Sequence, residues 1–170
     1  MKKTFFALFS LLTVSMAAQE VVPTFLEKWQ NSKTYLLQIA EVMPADVYDY
    51  KPTEKQMSFK EQLIHIRANM LWLSITYFLE NKIDKKDLEV EAASKEEAVQ
   101  LLKESFDAVT EVLKKNANEE DLNTKVDFFA GEKTKLQILN LMQDHVTHHR
   151  GQLIVYLNLN EIKPPKYSGW

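Results

Sequence analysis

Apolar residues recur at three- and four-residue steps in four long segments of the chain, with charged and amide side chains between them. This spacing is typical of amphipathic helices, whose apolar side chains lie along one face. The predicted helices extend from Pro23 to Met43, from Ser58 to about Glu80, from Ser94 to about Lys115, and from Thr134 to about Leu159. No segment shows credible strand alternation, so the pattern predicts an all-α fold, a four-helix bundle.

Three of the four predicted helices begin with a capping signal. A serine or threonine is followed three residues later by glutamate or glutamine, and the two side chains can bond reciprocally to the first backbone amides of a helix. The pairs are Ser58 with Glu61, Ser94 with Glu97, and Thr134 with Gln137. These signals fix where the second, third and fourth helices should begin.

Two further apolar features are the link between the third and fourth predicted helices and the large aromatic side chains. The link VDFFAGEK, residues 126–133, ends in a glycine turn, and we expect a short extended segment packed over one end of the bundle. Large aromatic side chains are expected to occupy the core rather than a substrate pocket. They are Trp29, Phe59, Trp72 and Tyr77.

The first twenty residues have the layout of a secretory signal peptide. Two lysines precede an apolar run from Phe5 to about Val14, and small residues follow. That run is shorter than the ~20 residues that a helix needs to cross a bilayer. We therefore expect residues 1–18 to be removed after Ala17 or Ala18. Residues 19–170 would then form one domain, exported to the periplasm or the cell exterior without stable membrane insertion.

The composition excludes several classes of function. The chain has no cysteine, so it forms no disulfide, thiolate metal site or cysteine nucleophile. Removing the two lysines of the signal peptide lowers the formal net charge from −3 to −5, and no long basic run remains. Nucleic acid and anionic membranes are therefore poor candidate partners.

Three of the four histidines lie within five positions of the last predicted helix. His145 and His149 are four residues apart, which places them about 40° apart around the helix axis and about 6 Å apart along it. His148 lies roughly 100° away from His149 around the helix, although it could pair with His145 at a spacing of three. The stripe through His145 and His149 continues to Gln152 and Tyr156 and is expected to face the bundle interior.

The remaining histidine, His65, supplies the third candidate ligand from the second predicted helix. His65, His145 and His149 would give a divalent cation three neutral nitrogens and leave a position open for water or substrate. Metal affinity should then fall as the pH decreases through about 6.5, where unperturbed histidine takes up a proton. The alternative is that these histidines only form hydrogen bonds in the core.

Other polar residues near the histidines are candidates for supporting roles. Gln152 could orient a ligand or a metal-bound water, and Glu61 could act as a base or as a fourth ligand. His148 points away from His145 and His149, and it is a candidate either for supporting a metal ligand through a hydrogen bond or for contacting the substrate. Arg150 lies off the stripe, where an ion pair or a dimer contact is expected.

Three segments resemble the DinB-like, or DinB/YfiT, superfamily. They are YDYKPT (48–53), MSFKEQLIHI (57–66) and DHVTHHRGQLIVYLNLNEIKPPKY (144–167). The resemblance covers nearly all of the chain after residue 18, and it implies a four-helix bundle, often a homodimer. It also implies a divalent ion, zinc or nickel, bound by His65, His145 and His149. Some characterised relatives are thiol-dependent transferases or isomerases, and others are described as hydrolases.

Two functions of different classes follow from these observations. The first is a metal-dependent enzyme, a transferase or hydrolase, that acts on a small molecule the sequence does not identify. The second is a non-catalytic metal-binding or scaffold protein in which the ion joins the second helix to the fourth. Access of solvent to the ion distinguishes them, because a catalytic site keeps an open position and a structural site is closed.

Overall fold

A computed structural model describes residues 20–170 of the chain, and the predicted signal peptide at residues 1–18 lies outside the described residues. Four long helices form the bundle. They are α1 (Val21–Val42), α2 (Phe59–Phe78), α3 (Lys95–Asn116) and α4 (Lys135–Leu159). The predicted boundaries agree with these to within about two residues. Pro23 is the third residue of α1 rather than the first, since proline is tolerated in the first turn, where backbone amides have no partner inside the helix.

Capping side chains fix the starts of three helices as predicted. The Ser58 hydroxyl accepts from the Glu61 amide at 3.1 Å, and the Glu61 carboxylate accepts from the Ser58 amide at 2.6 Å. Thr134 and Gln137 form the same reciprocal pair before α4. At α3 only half of the pair forms, because Ser94 accepts from the Glu97 amide while the Glu97 carboxylate accepts from Ala93 instead.

The link between α3 and α4 contains a short β-hairpin, which the all-α prediction did not include. Strands β1 (Lys125–Val126) and β2 (Lys133–Thr134) pair in antiparallel register. Gly131 makes the turn with a φ of 89°, a conformation that glycine adopts without steric cost. The hairpin places Phe128 against Trp72 and Tyr77, as expected for a segment that packs on the bundle, and leaves Phe129 exposed.

Helix α2 lies at the centre of the bundle, since it packs against both α3 and α4, and α1 closes the other side. Trp29 of α1 is fully buried, with its ring 4.8 Å from that of Phe106 and 5.6 Å from that of Phe25. Phe59 and Tyr77 are also buried, whereas Trp72 is half-buried under the hairpin. The core prediction therefore holds for three of the four aromatic residues.

The chain turns sharply after α4 and returns along α1. Glu161 has a φ of 59°, and the Ile162 amide donates to the Leu157 carbonyl at 2.9 Å. The tail then packs on α1, where the Ser168 hydroxyl donates to Asn31 and the Tyr167 ring meets Tyr35 edge-on. None of the helices within residues 20–170 has the length and apolar character needed to cross a membrane.

Candidate metal centre

Three histidines from two helices meet where α2 packs against α4. His65 lies on α2, His145 and His149 lie one turn apart on α4, and their ligand atoms are all within 4.8 Å of one another. The Nε2 atoms of His65 and His145 are 3.1 Å apart, and the His149 ring lies 4.7 Å from the His65 ring. The structure thus gathers the three histidines predicted from the sequence into a group that could hold a metal ion.

Gln62 fixes the orientation of His149. Its Oε1 is 2.5 Å from Nδ1 of His149, and the Gln62 side chain is only 2% exposed. Since a glutamine oxygen can only accept, Nδ1 of His149 must carry the proton. The lone pair of the neutral ring is then on Nε2, the nitrogen that remains available for a metal ion.

The hydrogen bonds continue from Gln62 to the surface of the bundle. Gln62 donates through Nε2 to Oε1 of Gln152 at 2.8 Å, and Gln152 donates through its own Nε2 to Nε2 of His148 at 2.8 Å. Both ends of the Gln152 amide are therefore engaged by side chains. Gln152 supports Gln62, and through it His149, while its role in orienting a ligand stays a prediction. His148 is exposed at the end of this chain of bonds.

Burial keeps the three candidate ligands neutral. Desolvation, reinforced by the neighbouring His149 and His65, lowers the pKa of His145 to about 3. Desolvation and then His65 lower the pKa of His149 to about 4, and burial also lowers the pKa of His65. Lys85, on the 3₁₀ turn Lys85–Leu88, adds a positive charge that acts on all three rings. Neutral imidazole is the form that coordinates metal.

Stability of the metal-free protein should fall as the pH decreases below about 6.5. Histidines of the unfolded chain take up protons near pH 6.5, whereas His149 and His145 of the folded protein stay neutral to about pH 4 and about pH 3. The unfolded state therefore binds more protons between these limits, and each proton favours unfolding. Denaturant titrations near pH 7, 6 and 5 should show the free energy of unfolding falling steadily over this range.

The control for this prediction is a protein in which both histidines are replaced by glutamine. Its free energy of unfolding should change less between about pH 6.5 and about pH 5, because two titrating groups have been removed. Identical pH dependence in the two proteins would show that His145 and His149 keep ordinary pKa values after folding.

Glu61 lies outside the histidine group and its carboxylate has other partners. It caps α2 through Ser58 and pairs with Lys51 at 2.9 Å. The backbone hydrogen bond from Ser58, followed by the one from Lys51, lowers the pKa of Glu61. Glu61 shares with His65 the wall of a cleft of about 700 Å³, so it is placed beside the cleft and not among the candidate ligands. Its role as a base stays a prediction.

Arg150 does not form the ion pair that its place off the stripe suggested. The residue is 7% exposed, and its guanidinium carbon lies 5.1 Å from the centre of the Tyr35 ring. No carboxylate within residues 20–170 pairs with it. Arg150 is therefore buried against α1, a contact that the helical pattern of α4 alone does not indicate.

Two contributors to the site were not predicted. Gln62 left a signal in the sequence, because an amide residue three positions before His65 falls on the apolar stripe of α2, where a buried polar group needs a partner. Lys85 left none, because it follows the end of α2 in a polar link whose path over the histidines depends on the fold. The Arg67 guanidinium holds this link by donating to the Leu88 carbonyl.

The donor set suits zinc or nickel. Imidazole nitrogen is a good ligand for both ions, and the lowered pKa values keep all three rings in the coordinating form near pH 7. Within the described part of the chain no carboxylate joins the group. Three histidines are also the protein ligands of a catalytic zinc site, that of carbonic anhydrase.

Comparison with known proteins identifies the family. The model described as "DinB family" matches residues 14–167. The curated protein YjoA of Bacillus subtilis strain 168, described as uncharacterized, is 28% identical over 129 residues, which cover 71% of this chain and 78% of YjoA. This chain belongs to the DinB family.

Two solved structures share the fold. The DinB-like protein YjoA from Bacillus subtilis superposes with a TM-score of 0.69 at 21% identity, covering 85% of this chain and 96% of its own. A DinB-like protein from Bacillus cereus gives 0.73 at 18% identity, covering 88% and 99%. Both confirm the DinB-like helical fold that the sequence resemblance implied.

Proposed function

We propose that this protein binds a divalent metal ion, zinc or nickel, through His65, His145 and His149, and that it is a metal-dependent enzyme of the thiol-dependent transferase or hydrolase type. One observation carries the proposal: three neutral imidazoles from two helices meet, and no further histidine, cysteine, aspartate or glutamate among residues 20–170 joins them. An ion held there keeps a coordination position for water or substrate.

The surroundings of the histidines support chemistry at that position. A bound ion lowers the pKa of a coordinated water or thiol and so supplies a nucleophile near neutral pH. Gln62 holds His149 in the tautomer that coordinates through Nε2. The positive charge of Lys85 acts on all three rings and would favour an anion beside them. The cleft of about 700 Å³ on whose wall His65 lies has room for a small-molecule substrate.

Cobalt substitution tests the open position. Co²⁺ should occupy the same histidines, and its visible absorption spectrum reports the ligands around it. We expect the spectrum to change when azide or 2-mercaptoethanol is added, because either probe can enter the open position. A spectrum unaffected by both probes would contradict the enzyme and would support the alternative, in which a sealed ion joins α2 to α4.

A further inference from the structure

Two buried polar atoms on the helices that carry the histidine group have no hydrogen-bond partner. They are Oδ1 of Asn69 on α2 and Nδ1 of His145 on α4. A buried polar atom without a partner costs about 1–3 kcal/mol, so such atoms are rare in folded proteins. One of these two can only accept a hydrogen bond, and the other can donate when its ring is in the Nδ1–H form. Their chemistry is therefore complementary.

The register of the two helices brings these residues opposite each other. Helices α2 and α4 are antiparallel. Gln62 of α2 bonds to Gln152 of α4, and His65, three residues later on α2, contacts His149, three residues earlier on α4. A further step of four residues along α2 reaches Asn69, and the matching step back along α4 reaches His145. Both steps are one helical turn, so each residue stays on the facing side of its helix.

We propose that Asn69 is a positioning residue for His145, with its Oδ1 accepting a hydrogen bond from Nδ1–H of that ring. The inference rests on the proposed function, because the bond would leave Nε2 of His145 as the coordinating nitrogen. The χ2 torsion of asparagine is broad and soft, so the Asn69 amide can rotate to present Oδ1 to a donor. Nε2 of His145 already faces Nε2 of His65 at 3.1 Å, so its Nδ1 points away from the ligand group.

The proposed bond repeats the one already formed by Gln62. Gln62 lies three residues before His65 and accepts from Nδ1 of His149, and Asn69 lies four residues after His65 and would accept from Nδ1 of His145. Helix α2 would then supply one ligand together with the amide oxygens that orient both ligands of α4. Outer hydrogen-bond partners of this kind fix the tautomer and orientation of a metal-binding histidine.

Zinc affinity, measured by competition with a chelator, tests the role of Asn69. Asn69→Leu removes the acceptor with little change of volume and should weaken zinc binding by about 10- to 100-fold. Asn69→Asp keeps an acceptor oxygen at the same place and should bind zinc at least as tightly as the wild type. Thr76→Val is the matched control, because it removes another partnerless buried oxygen of α2 at a distance from the histidines, and it should leave the affinity unchanged.

The tautomer of His145 gives a second readout that a purely structural role would not affect. Nitrogen-15 chemical shifts of the metal-free protein should show Nδ1–H on His145 in the wild type and in Asn69→Asp, and a shift toward Nε2–H in Asn69→Leu. Wild-type zinc affinity together with an unchanged tautomer in Asn69→Leu would overturn the inference. If wild-type protein binds no zinc, the proposed function fails, and the tautomer measurement still decides whether Asn69 bonds to His145.

Discussion

Replacement of His149 by alanine is expected to abolish the stabilisation that zinc gives to this protein. His149 is the most buried of the three candidate ligands, and Gln62 fixes its ring with Nε2 directed to the group. With zinc at about 1,000 times the dissociation constant, binding to the folded state alone raises the free energy of unfolding by about 4 kcal/mol. The variant retains two of three ligands and should show little of that gain in denaturant titrations with and without zinc.

His148→Ala is the matched control for His149→Ala. The two histidines are adjacent on α4, but His148 is exposed and lies outside the group of candidate ligand atoms. Its replacement removes only the last hydrogen bond of the chain that begins at His149, so the zinc-dependent gain in stability should stay close to that of the wild type. An equal loss in both variants, or a full gain in His149→Ala, would contradict the assignment of His149 as a ligand.

Replacement of Trp29 by alanine should produce the largest loss of stability among single substitutions in α1. The side chain is fully buried between Phe25 and Phe106, so its removal loses apolar burial and leaves a cavity. Truncation of a buried tryptophan costs about 3–5 kcal/mol. Chemical denaturation of the metal-free protein measures this cost without a contribution from the histidine group.

Two further variants separate packing from hydrogen bonding at Trp29. The indole nitrogen is buried without a partner, so Trp29→Phe keeps an aromatic ring and removes an unpaired N–H. It should cost much less than Trp29→Ala. Trp170→Ala truncates a largely exposed tryptophan of the tail and should change stability by no more than about 0.5 kcal/mol. A small loss in Trp29→Ala would show that this part of the core is not tightly packed.

Local signals in the sequence predicted the helices well. The capping pairs at Ser58 and Thr134 act within one helical turn, so their bonds form wherever the helix begins. The strands of the hairpin are only two residues long, and pairing between β1 and β2 holds them rather than any alternation along one strand. Such short strands leave almost no periodic signal.

The ligand group was predictable to the extent that it depends on one helix. The spacing of His145 and His149 fixes their common face, and the third ligand followed because His65 is the only remaining histidine. The bond from His149 to Gln62, the burial of Arg150 against Tyr35 and the approach of Lys85 each depend on how separate elements pack. Periodicity within a single helix carries no information about how that helix is aligned against its neighbours.

The pH range of metal release is another property that required the fold. From the sequence, affinity should fall through about pH 6.5. Burial lowers the pKa of all three candidate ligands, to about 4 for His149 and about 3 for His145. Protons therefore compete with a bound ion at lower pH than for unperturbed histidines, so acid should release metal below pH 6.5.

The most direct measurement of the central claim is a crystal structure of the full chain grown with zinc and without a histidine tag or chelator, with anomalous data recorded at the zinc edge. We predict one strong anomalous peak at about 2.0–2.1 Å from one ring nitrogen each of His65, His145 and His149, with a water or other small ligand completing the coordination. A peak elsewhere with none at these three rings, or a fourth protein side chain that seals the ion, would contradict it.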